Sequence, residues 1–93
     1  MELLHEYATP VADSDGRMYT CRAFAEQRED GMWEGWLVFF PQDGRPVVPT
    51  ERETTQSNLE FAIYWATGLE PIYLEGALER ALRSAASAME TDR

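Results

Sequence analysis

Met18-Tyr19-Thr20-Cys21-Arg22-Ala23-Phe24-Ala25-Glu26-Gln27-Arg28 is followed by Glu29-Asp30-Gly31 and then by Met32-Trp33-Glu34-Gly35-Trp36-Leu37-Val38-Phe39-Phe40-Pro41. Two runs carrying aromatic and small apolar residues flank an Asp-Gly pair. That pair is a strong local mark of a β-hairpin, because tight hairpin loops need backbone at positive φ. It recurs at Asp15-Gly16 and Asp43-Gly44. Three such turns between apolar runs predict a four-stranded antiparallel meander, with strands near residues 3–12, 17–28, 32–41 and 46–55. Pro10, Pro46 and Pro49 fall in the first and last strands, the edges, where a missing N–H is tolerated.

Beyond the sheet the periodicity changes. Ser57-Asn58-Leu59-Glu60 reads as an S-x-x-E capping box that opens a helix, and Gly68 is placed to close it. Pro71 suits the first turn of a second helix reaching about Met89, with Leu74, Leu78, Leu82, Ala85 and Met89 as its apolar stripe and Ala77 and Ala81 alongside. Such a helix is about 28 Å long, close to the ~30 Å of a nine-residue strand, so helices can lie along the sheet. The expected fold is α+β: a ββββαα meander with two C-terminal helices packed on one face, a single domain over residues 1–93. The first helix, Leu59 to Ala66, is apolar almost all round, which calls for burial between sheet and long helix or in a dimer interface. Gly76 inside the second helix suggests close packing there.

Composition narrows function. The chain has 8 basic and 17 acidic residues, a formal net charge of −9, and 44% hydrophobic residues. That composition fits a folded domain and disfavours binding to nucleic acid, since a polyanion is repelled and no basic patch stands out. One Cys and one His exclude a disulfide framework, a Cys-rich zinc site and a multi-His centre. Met1-Glu2-Leu3-Leu4-His5-Glu6 lacks the basic and apolar segments of a signal peptide, and no apolar run approaches the ~18 residues of a membrane span. The expectation is a cytoplasmic bacterial protein with no metal, no cofactor and no membrane contact.

Counting outward from Asp30-Gly31 as a two-residue loop assigns the faces. One face then pairs Arg28 with Trp33, Glu26 with Gly35, Phe24 with Leu37 and Arg22 with Phe39. The other pairs Ala25 with Trp36, Ala23 with Val38 and Cys21 with Phe40, and is expected beneath the helices. The neighbouring turns add His5 opposite Glu26, Tyr7 opposite Phe24, and Val48, Thr50 and Arg52 to the first set. That set predicts an open aromatic face studded with Arg: Trp33 as anchor, Phe24, Leu37 and Phe39 around it, Arg22 and Arg28 at the rim. The competing reading is that the long helix or a second copy covers it. Glu51 and Glu53 fall on the core face in this count, and a bulge at Pro49 that moves the chain by one residue would turn them out.

Other side chains are candidates for chemistry. Asp13-Ser14-Asp15-Gly16 echoes a calcium loop but lacks its later ligands, so it reads as a turn. Glu75 and Glu79 stand one helical turn apart, with Glu79 placed to pair with Arg83. His5 with Glu26 could form an acid–base pair, but no activated nucleophile adjoins it, and Cys21 reads as a small hydrophobe. Arg52, Thr54 and Thr55, at the junction into the first helix, could hold an anion or simply cap the helix. The leading expectation is a non-enzymatic protein-interaction or regulatory module, homodimeric, with a basic protein as a further partner. The alternative is a small-molecule or anion-binding domain, with or without catalysis, sited around Arg52–Gln56.

The order of strand, Asp30-Gly31-Met32-Trp33, apolar strand ending in Pro41, Asp43-Gly44 turn, short strand and Thr-initiated helix resembles the HicB-like antitoxins over about residues 17–66. That family carries a D-G-x-[YW] hairpin in a partial RNase H fold. The segment Thr54-Thr55-Gln56-Ser57-Asn58 departs from the Gly-x-Thr-x-x-Glu-Ala helix entry common there, and the second helix is longer. What the resemblance implies is an acidic protein that occludes a toxin.

Overall fold

The three Asp-Gly pairs do turn the chain: Gly16, Gly31 and Gly44 sit at φ of 81°, 88° and 83°. These are the only positive-φ residues among those described, in a region that a Cβ disfavours. The computed structural model describes residues 1–91, with side chains through residue 88. Its strands are β1 (Glu2–Glu6), β2 (Val11–Ala12), β3 (Met18–Gln27), β4 (Trp33–Pro41), β5 (Val48–Pro49) and β6 (Thr54–Gln56). Helices α1 (Leu59–Thr67) and α2 (Pro71–Thr91) follow.

β3 and β4 form a central antiparallel hairpin; β1 and β2 both pair with β3, and β5 and β6 both pair with β4. The meander is therefore present, but each edge strand is broken in two, so six strands replace the expected four. The first edge breaks at Ala8-Thr9-Pro10, and the last breaks after Pro49. In both places a proline, which cannot donate to the ladder, sits at the interruption.

Two helix-end expectations change. Asn58, not Ser57, is the N-cap of α1: its side-chain oxygen accepts the Phe61 N–H at 2.9 Å. Gly68 ends the helix as expected, its N–H donating to the carbonyls of Tyr64 and Trp65. α2 opens at Pro71, with the Tyr73 and Leu74 N–H groups donating to the Glu70 carbonyl.

Both helices pack on the same face. The core joins Tyr19, Cys21 and Ala23 of β3 and Leu37 and Phe39 of β4 to Ala66 of α1 and Leu74, Ala77 and Leu78 of α2. The α2 stripe is buried through Ala81 and half-buried at Leu82, but Ala85 is exposed, and Met89 lies outside the residues whose side chains are described. Close packing occurs at a different glycine from the one expected. A Cβ on Gly76 would meet only the tip of Arg80, at 3.7 Å, whereas one on Gly35 would lie 2.9 Å from Thr54 Cγ2 and 3.0 Å from Trp65 Cζ3. Gly35 is where α1 comes down onto the sheet.

Candidate interaction face

The central turn contains one more loop residue than the count assumed. The Gly31 N–H donates to the Arg28 carbonyl at 3.0 Å, and the Arg28 N–H donates to the Met32 carbonyl at 2.7 Å. This is a type I turn followed by a glycine at positive φ, a three-residue loop with a bulge. Every β4 residue therefore moves one place against β3: Phe24 faces Trp36, Ala23 faces Leu37, Arg22 faces Val38 and Cys21 faces Phe39. A one-residue slip exchanges the two faces of the moved strand. The β3 assignments hold, and those of β4 invert.

Leu37 and Phe39, expected on the open face, are fully buried under the helices. Trp33 shares their register, opposite Gln27 and Gln56, and is half-buried on that side, so it is not the open-face anchor. Arg28 stays at the turn, pairing with Asp30 at 2.8 Å and Glu34 at 3.8 Å. Arg22 and Phe24 remain on the open face, joined now by Trp36, Val38 and Phe40. One residue signalled the error: the two-residue count places Glu34 on the core face, whereas the structure sets it opposite Glu26 on the open one.

No helix covers this face, and its rings shield one another. Phe24 and Trp36 stack at 6.4 Å between centroids, 27° apart. Arg22 lies 4.9 Å over the Phe40 ring while donating to Glu6 at 3.0 Å. Leu3 of β1, opposite Phe24, extends the apolar row and is 54% exposed. Glu6, Glu26 and Glu34 and the bases Arg22, Arg28 and Arg52 surround it, with Arg52 4.0 Å from Glu34. An apolar centre with a charged rim is how interfaces are built. The sheet edges offer no comparable surface. β1 is short, irregular between Leu3 and His5 and bounded by glutamates, while β5 and β6 are short and separated by a break, all of which discourage strand addition.

α1 presents a second apolar surface. It is not sandwiched between sheet and α2: Phe61 is 54% exposed and Tyr64 81%. Only Ala62 and Ala66 of this helix are fully buried.

The candidate chemical groups do not assemble. His5 lies opposite Ala23, not Glu26, and meets Tyr7 edge-on at 4.6 Å. Tyr7, expected opposite Phe24, instead turns toward the helices and donates its hydroxyl to the Ala66 carbonyl at 2.6 Å. Burial pushes the Cys21 thiol up to about 12, which leaves it protonated and unreactive at neutral pH. Arg52 reaches Glu34 on the open side, whereas the Thr54 methyl lies against the Gly35 position beside Trp65 and Thr55 pairs with Glu34 along the strand. The proposed anion ligands thus diverge.

The pairing counted from Asp43-Gly44 holds through Val48 opposite Phe39, so Val48 moves with Phe39 from the expected open face to the helix side, and by β6 the register has moved two residues, not one. Glu53 still turns toward the helices. Its carboxylate accepts from the Tyr73 hydroxyl at 2.6 Å and from Arg80 at 2.5 Å, which is how an acid is tolerated there. Asp13 serves its turn, accepting from the N–H groups of Asp15 and Arg17 and from the Tyr19 hydroxyl. Slight burial by itself raises the Asp13 carboxyl; these hydrogen bonds and the Arg17 charge outweigh it and hold the group below its ordinary range. Glu79 pairs with Arg83 at 3.8 Å. A cleft of about 130 Å³ opens where β1 gives way to β2, between Tyr7, Val11, Leu69 and Leu74, and wider open hollows of about 430 and 570 Å³ lie beside Asp13, Tyr19 and Arg45 and beside Glu51, Arg80 and Arg83.

Among the described residues, no three His, Cys, Asp or Glu side chains converge as a metal site, and no helix is long and apolar enough to cross a membrane. Comparison with protein-family models, curated proteins and solved structures finds no match.

Proposed function

We propose that this chain is a non-enzymatic protein-interaction module whose working surface is the open sheet face. One observation carries the reading: Phe24, Trp36, Val38 and Phe40 lie side by side on the face that neither helix covers, ringed by charge. Aromatic residues with Arg at their margin are the composition enriched at protein contacts. A net charge of −9 favours encounter with a basic protein, the kind of partner implied by the antitoxin-like order of elements.

The test places a photoreactive phenylalanine analogue at position 36 and, separately, at position 79 on the outer side of α2, in cells of the native host. Cross-links to protein from position 36 and none from position 79 are expected. Equal labelling from both positions, or none from position 36, would overturn the proposal.

A further inference from the structure

The open face carries a charge pattern that suits a second copy of this chain, and we infer that two copies stack face to face with their strands antiparallel, about a two-fold axis through the Phe24–Trp36 row. The inference rests on the interaction-module reading and names its partner.

Along β3 the open face runs Arg22, Phe24, Glu26, so a base and an acid lie symmetrically about the aromatic ring, each roughly 7 Å away at ~3.3 Å per residue. A two-fold axis across the strands at Phe24 sets Arg22 of each copy over Glu26 of the other. Phe24 then meets Phe24, and Trp36 meets Trp36. The other face-to-face arrangement, with the axis along the strands, brings Glu26 of each copy against Glu34 of the other, and so gathers four carboxylates. Like charges brought together select against it. An isologous contact needs a self-complementary patch, and the Arg22–Phe24–Glu26 run provides one.

One further observation favours a second copy on this face and leaves the acidic remainder of the surface to a basic partner. The face is balanced, with Glu6, Glu26 and Glu34 against Arg22, Arg28 and Arg52, so the chain's −9 lies elsewhere.

The experiment measures association of the full chain by sedimentation velocity over the micromolar range. The unmodified chain is expected to dimerise. Arg22→Glu and Glu26→Arg, both surface changes, are each expected to weaken the dimer at least ~10-fold by placing like charges in contact. Mixing the two variants restores association, because each then faces its complement. Phe24→Cys supplies an independent readout: lying on the axis, the two introduced thiols are joined by a short bis-maleimide that spans the ~10 Å between stacked sheets, whereas those of Thr20→Cys, roughly 26 Å apart along the strands, are not. A monomeric wild-type chain, undiminished dimerisation of either charge variant, or failure of the mixture to re-associate overturns the inference. A monomer that still cross-links to another protein from position 36 removes the dimer alone and leaves the module reading standing.

Discussion

The two faces of the β3–β4 hairpin are both apolar, yet they are built in opposite ways. Under the helices the sheet presents Cys21, Ala23, Ala25 and Gly35 along with Leu37 and Phe39, all buried. On the other side it presents Phe24, Trp36, Val38 and Phe40, all half-buried. Small residues lie where a helix must come close: Trp65 of α1 occupies the space over Gly35. Large rings lie where neither helix comes close, and they cover one another by stacking. Hydrophobic content alone does not distinguish core from contact surface. The sizes of neighbouring side chains, and what can approach them, do.

That contrast can be broken at its strongest point first. Phe39→Ala is expected to lower stability by about 3–5 kcal/mol, the usual cost of emptying a buried aromatic site. Trp36→Ala on the opposite face, compared at dilutions where the chain is monomeric, should lose only on the order of 1 kcal/mol of stacking. Denaturant unfolding of both variants measures the difference, and equal losses would erase the distinction between the faces.

The small side of the core can be probed by filling it. Gly35→Ala is expected to cost about 1–3 kcal/mol, because the added methyl meets Thr54 and Trp65 at contact distances near 3 Å. The reporter is Trp65, whose near-ultraviolet signal should shift as its ring is displaced. A neutral outcome would mean that α1 sits further from the sheet.

The smallest effect concerns the Tyr7 tether. Tyr7→Phe removes the hydrogen bond to the Ala66 carbonyl and is expected to cost on the order of 1 kcal/mol at neutral pH. Burial, then the neighbouring Cys21 and Tyr73, raise the folded-state hydroxyl above its ordinary 10.0. The folded form therefore holds this proton more tightly than the unfolded form. The stability it contributes is complete below pH 10 and is lost as pH rises beyond that. Thermal melts of wild type and Tyr7→Phe should converge as the solution is made alkaline. A constant gap across that range would show that the hydroxyl is not held by the fold.

Much of the architecture was legible in the chain. The three turns, the long central strands, the pair of helices and the inward set of β3 all follow from glycine placement and periodicity. β3 alternates Arg22, Phe24 and Glu26 with Cys21, Ala23 and Ala25, so its faces have a readable phase, and the face of its half of the open sheet surface, with Arg22 and Phe24, was legible. The β4 half was not. Trp36 to Phe40 is apolar at every position, and an unbroken run carries no phase. Only Glu34, beside that run, marked the solvent side. The turn of Glu53 toward the helices was likewise hidden, because its justification lies in Tyr73 and Arg80, 20 and 27 residues away.

The sequence by itself determined where this chain reverses direction and which segments become strands or helices, since those choices depend on backbone freedom and on side chains a few residues apart. Whether each Asp-Gly closes a two- or a three-residue loop was decided only in the tertiary structure. Both loops place the glycine at positive φ, so the local chemistry accepts either. The choice falls to packing: one parity buries Leu37 and Phe39 beneath the helices and brings Trp65 down on Gly35, and it leaves Glu34 in water and Trp36 on the open face.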